Sequence, residues 1–112
     1  MHKMELVAQV AQRTGMPKET VLKSLNAALA VISEAMAQGE EVRLKGFGTF
    51  GVRARRPTRR SHRWTHEILS IPSKAMPRFV PGKTLKRRVE ESLTVVQLPS
   101  GRLTVRPKLQ AP

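Results

Sequence analysis

Within 112 residues and 12.5 kDa there is room for one domain with a short appendage, and the absence of cysteine excludes disulfides, zinc-thiolate sites and cysteine nucleophiles. No apolar run approaches the roughly 20 residues of a bilayer span, and the N-terminus lacks the apolar stretch of a secretory signal, so a soluble, cytoplasmic protein with no membrane partner is expected. The net charge is +13, with an isoelectric point near 11.7 and no Asp at all, which points to a polyanionic partner.

In residues 3–14, Leu6, Val7, Val10 and Ala11 share one face while Glu5, Gln9 and Gln12 lie opposite, which predicts a helix. Gly15 is suited to close it in the left-handed conformation. Pro17 then stands where a second helix begins, at a position where its missing N–H is no loss. That helix is expected over about residues 18 to 38, ending at Gly39. Val21, Leu22, Leu25, Ala28, Leu29, Ile32 and Met36 repeat at the helical period, and Ala27, Ala30 and Val31 carry apolar surface around to other sides. A helix apolar on more than one side must be covered on more than one side. One small chain cannot do that easily, so a homodimer is expected.

From Glu41 the period changes to two. Val42 and Leu44, then Phe50 and Val52, read as the inner face of a β-hairpin turning at Gly46-Phe47-Gly48. Beyond Ala54 the apolar partners vanish into Arg56-Pro57-Thr58-Arg59-Arg60-Ser61-His62-Arg63, and they return at Ile68-Leu69-Ser70-Ile71. The simplest geometry is a projecting two-stranded arm over about residues 53–76, turning near 60–66. Pro81-Gly82 opens a short third helix from Lys83 to about Ser92, with Leu85 and Val89 four apart. Two β-prone runs, Leu93 to Leu98 and Leu103 to Val105, flank Pro99-Ser100-Gly101-Arg102 and predict a separate hairpin within an extension of residues 93–112.

The charge follows these divisions. Residues 1–41 carry four basic side chains against five Glu, residues 42–89 carry fourteen against Glu67 alone, and residues 90–112 carry three against two. The excess thus sits inside the chain, on the hairpin, arm and third helix. Nucleic acid is favoured over an anionic membrane, because no amphipathic helix carries the charge.

This order of elements, with Gly46-Phe47-Gly48-Thr49-Phe50, Val52-Arg53, Ile71-Pro72, Phe79 and Pro81-Gly82-Lys83 in register, resembles the bacterial HU/IHF family of histone-like DNA-binding proteins over about residues 1–92. The resemblance implies an α+β fold: an intertwined dimer with two N-terminal helices, a three-stranded antiparallel sheet, a protruding β-ribbon arm and a short third helix. It implies an architectural protein, cytoplasmic and nucleoid-associated, that bends and compacts double-stranded DNA through minor-groove arms with low sequence selectivity. Bent, nicked or junction DNA are candidate targets. By position, Lys3, Arg53, Arg55, Lys74, Lys83 and Lys86 would meet phosphates or the groove. Leu29, Ile32, Leu44, Phe47, Phe50 and Phe79 would form the dimer core. The arm cations Arg56, Arg59, Arg60, Arg63 and Arg78 join the DNA-binding set on charge. Arginine suits this work because its planar fork bonds phosphate bidentately and fits narrow, strongly negative minor grooves.

The chain departs from the family in two places. Members usually carry a proline near the arm tip that wedges between base pairs, whereas gapless alignment from Phe50 puts Arg63 there, followed by Trp64. Trp64 either replaces that wedge or packs across the arm on Ile68 or Pro57. Members also end soon after the third helix, so the extension is additional; it either recruits a partner or supports the sheet. An IHF-like, sequence-directed bender and an RNA-binding or ribosome-associated protein are the other readings, although one Trp, three Phe and no Tyr give few stacking platforms for RNA. His62 and His66 are four apart on a hairpin without carboxylate support, so no metal is expected. No catalytic constellation, cofactor site or small-molecule substrate is expected either.

Overall fold

The computed structural model describes residues 1–61 and 64–108. The chain divides into two compact units, Met1–Val42 and Arg43–Pro112. In the first, α1 (Lys3–Thr14) and α2 (Lys18–Ala37) are joined by the turn the sequence marks. Gly15 takes φ +74, a conformation that disfavours any side chain with a Cβ, and its N–H closes the helix on the Ala11 carbonyl at 2.9 Å. Pro17 takes the N-cap position of α2 and accepts the Val21 N–H at 3.1 Å. Val7, Ala11 and Val21 form the buried core, with Leu22 and Leu25 partly buried against it.

Those three are also the only buried hydrophobic residues among those described in the whole chain. Of α2 only Val21 is buried, while Leu29 and Val31 are 47% and 63% exposed. By length and composition alone α2 could cross a membrane, but Lys23 and Glu34 interrupt it and no unbroken apolar run of that length is present.

From the boundary residue Val42 onward, β1 (Val42–Leu44), β2 (Gly48–Arg55) and β5 (Lys74–Pro81) form a sheet in the order β1-β2-β5. β3 (Thr58–Ser61) and β4 (Ile68–Ile71) form the two-stranded distal arm. The Gly-Phe-Gly turn has a specific steric logic. Gly46 takes φ +83, and a Cβ at Gly48 would lie 2.5 Å from the Phe79 ring. The carbonyl of Phe47, between them, accepts the Gly82 N–H at 2.8 Å, which ties the turn to the start of α3 (Lys83–Ser92). Phe79 stacks at a tilt on both Phe47 and Phe50, with ring centroids 5.5 and 4.8 Å apart. Phe47, Phe79 and Leu44 nevertheless stay exposed, while Phe50 is half-buried.

The C-terminal hairpin is present as expected. β6 (Leu93–Gln97) follows α3 without a break and pairs with β7 (Leu103–Pro107), Val95 opposite Val105. Its turn is closed by Gly101 at φ +88, whose N–H bonds the Leu98 carbonyl at 2.8 Å.

Candidate nucleic-acid interface

β2 and β5 form the root of the arm. Their register sets Phe50 opposite Phe79, Val52 opposite Pro77, Arg53 opposite Met76, and Arg55 opposite Lys74. Directly opposed residues project from the same face of a ribbon, and successive residues along a strand from opposite faces. One face therefore carries Phe50, Val52, Ala54, Ala75, Pro77 and Phe79. The other carries Arg53, Arg55, Lys74 and Arg78, with no acidic residue on either strand. Four cations held on one face repel one another, and an anion laid along that face relieves the repulsion.

Arg55 differs from its neighbours in being half-buried. Its Nη2 donates to the Pro72 carbonyl oxygen at 3.2 Å, while its Nε is buried without a hydrogen-bond partner. A buried donor left unpaired costs about 1–3 kcal/mol. An oxygen brought within its reach would remove that cost.

The ladder stops at Arg56-Pro57 on one strand and Pro72-Ser73 on the other, then resumes in β3 and β4 in the same register. Pro57 and Pro72 thus oppose each other. Neither has an N–H to donate, which accounts for the gap. Arg56 is exposed at this break. Farther out, Arg59 pairs with Ser70 and Arg60 with Leu69. The tip turn contains Trp64 and Thr65, and His66 follows at φ 58, a left-handed conformation uncommon outside glycine. Trp64 is 80% exposed and Ile68 69% exposed, so the arm leaves the indole largely open. Arg63, at the position where the family carries its proline, lies outside the described residues.

On α3, Lys83 and Lys86 are exposed and three apart, hence on one side of the helix. Arg87 belongs with them, four residues from Lys83. Sequence reasoning passed over it, although the Lys-x-x-Lys-Arg spacing was there to read. Lys3 is exposed at the start of α1, in the helical unit. Among the described residues, no group of three or more His, Asp or Glu side chains could hold a metal ion.

A helical pair followed by an antiparallel sheet that runs out into an arginine-faced ribbon defines an α+β, β-arm protein of the histone-like class. The chain belongs to the bacterial DNA-binding protein family, whose model matches residues 1–90. It is 45% identical over 89 residues to the DNA-binding protein HU of Thermus thermophilus, covering 80% of this chain and 92% of that one. It is 40% identical over 90 residues to the SPbeta prophage-derived DNA-binding protein HU 2 of Bacillus subtilis, covering 80% and 98%. Among solved structures, the Anabaena HU–DNA cocrystal structure is similar with a TM-score of 0.73 at 36% identity, over 79% of this chain and 96% of that chain. HU from Thermotoga maritima is similar with a TM-score of 0.58 at 34% identity, over 79% and 97%. The family match ends before the C-terminal hairpin begins.

Proposed function

We propose that this protein is an architectural DNA-binding protein. As a homodimer it wraps and bends duplex DNA between two minor-groove arms, and so compacts or organises DNA with low sequence selectivity in the nucleoid. The observation that carries this reading is the sorting of the arm root, with Arg53, Arg55, Lys74 and Arg78 on one face and no acid among them. Arg56, Arg59, Arg60 and Arg63 add further cations in the outer arm sequence, and Trp64 in the tip turn is an apolar side chain able to unstack a base step. Lys83 and Lys86, with Arg87 beside them, and Lys3 are assigned to flanking phosphates. Minor-groove edges distinguish bases poorly, so an arm of this kind responds to groove width and deformability. The unpaired Nε of Arg55 gives that residue a further use for a phosphate or base oxygen.

The homodimer rests on the surface that one chain leaves open. Leu29, Leu44, Phe47 and Phe79 are each at least 40% exposed, and Ile32 and Phe50 are half-buried. A second copy burying these side chains in each unit would complete a core that three buried side chains cannot supply.

The test is a salt-dependent titration against linear, nicked and four-way-junction DNA, with structured RNA as competitor. The two arm roots, neutralising eight phosphates, contribute about −7 to the log–log slope, and the outer-arm and α3 cations steepen it further. Replacing Arg53 and Arg78 with Ala should lower its magnitude by about 3.6, four phosphates being lost per dimer. Weak, salt-insensitive binding to all three DNAs, or a preference for RNA, would overturn the reading.

A further inference from the structure

The strand β7 is sorted as strictly as the arm root. Two backbone bonds just outside the paired strands, Leu98 N–H to the Arg102 carbonyl at 2.8 Å and Lys108 N–H to the Ser92 carbonyl at 3.0 Å, continue the register of the hairpin at both ends. The alternation of faces therefore runs from residue 102 to 108. One row holds Arg102, Thr104, Arg106 and Lys108, and the other Leu103, Val105 and Pro107. Thr94 lies directly opposite Arg106 and adds a second hydroxyl to this face, on which half-buried Val96 and Leu98 lie opposite Thr104 and Arg102, so the polar row belongs to β7. All three cations of residues 93–112 are in this row, and that segment has no acidic residue.

A polar row that was only the outer side of a covered ribbon would have a buried apolar row behind it. Here Leu103 and Val105 are 65% and 55% exposed, so nothing within one chain covers that row. A chance solvated face would also mix signs, as residues 1–41 do with four cations and five Glu. Side chains two apart on a strand are about 6.8 Å apart, so the row from 102 to 108 spans about 20 Å. That length matches roughly six base pairs of duplex, along which both strands present phosphates. Thr and Arg are both suited to phosphate oxygens, Arg with a charge-assisted bond and Thr with a hydroxyl.

We infer that the C-terminal hairpin is a second DNA-binding ribbon, on which Arg102, Arg106 and Lys108, with Thr94 and Thr104, grip the phosphate backbone and lengthen the bound site. This rests on the DNA-binding reading of the arm. It differs in needing no groove entry and no bend, only a run of backbone along the row.

The experiment compares the full-length protein with the triple variant Arg102→Gln, Arg106→Gln, Lys108→Gln, by anisotropy titration over salt and by footprinting on a long duplex. Unchanged circular dichroism and urea midpoint establish that the variant is folded. The magnitude of the log–log slope should fall by about 3 if one hairpin per dimer reaches the DNA and by about 5 if both do, and the footprint should shorten. A triple variant with the wild-type slope and footprint would overturn the inference while leaving the arm reading intact. Loss of steep salt dependence in the wild type itself would instead remove the arm reading, and the inference with it. Val95→Thr with Val105→Thr, on the opposite face, should leave slope and footprint unchanged. If this pair, and not the triple variant, weakened binding or self-association, the hairpin would be a protein-docking surface and the inference would be overturned.

Discussion

Gly48→Ala is a demanding test of the sheet because the structure states where the added methyl would go. Its Cβ would lie 2.5 and 2.7 Å from two atoms of the Phe79 ring and 2.7 Å from the Val80 carbonyl oxygen. The ring cannot simply swing aside, since it stacks on Phe50 with centroids 4.8 Å apart and on Phe47 at 5.5 Å. The carbonyl belongs to β5, which is paired with β2 along the whole ladder, so relief requires the two strands to part. Inserting a methyl group into a filled site costs about 1–3 kcal/mol, and a backbone obstacle places this case at the upper end. For a domain of this size about 3 kcal/mol corresponds to a fall in Tm of roughly 13 °C, read by circular dichroism at matched protein concentration. Gly101→Ala is the comparison. There φ is +88, but the nearest atom is 4.0 Å away, so only the left-handed backbone strain, about 1–2 kcal/mol, is incurred. A Gly48→Ala protein within 1 kcal/mol of wild type would refute the packing argument for the Gly-Phe-Gly turn.

Two other perturbations address assembly and bending. Leu29→Asp places a carboxylate on a side chain that is 47% exposed in one chain and assigned to the dimer core. It should weaken dimerisation at least about a hundredfold by the cost of desolvating the charge. Sedimentation velocity would show monomer at micromolar concentration, and an intact dimer would exclude Leu29 from the interface. Trp64→Ala should lower the DNA bend read by fluorescence transfer between duplex ends at saturation, and an unchanged angle would remove the indole from the bending mechanism. Because Trp64 is the sole tryptophan, its emission should also quench on DNA binding as bases come into contact with it.

Much of the fold could be read along the chain because its punctuation is local. Gly15, Pro17, Gly46, Gly82 and Gly101 each act through their own backbone, and the structure places a turn or helix end at every one. Cross-strand relations were less accessible. That Arg53 and Arg55 share a face with Lys74 and Arg78 depends on a register set about twenty residues away, across the arm turn. The fold of Arg55 back onto the Pro72 carbonyl depends on that same closure. The steric need for Gly48 arises from Phe79, remote in sequence, so the motif could be noticed but its reason could not. The rows on β7 and the place of Arg87 on α3 are a different matter, being periodic in sequence and open to a reader who counted by two and by four.

The cations of the outer arm have a consequence for solubility. A two-stranded ribbon has two free edges, and each edge presents unpaired N–H and carbonyl groups on which another molecule's strand could grow. Arg56, Arg59 and Lys74 place like charges along the strands that would have to meet. Two such arms approaching edge to edge in solution would bring these charges together with no acidic side chain on the paired strands to offset them. The charge that readies the arm for a polyanion therefore also keeps it from polymerising when many copies are crowded together.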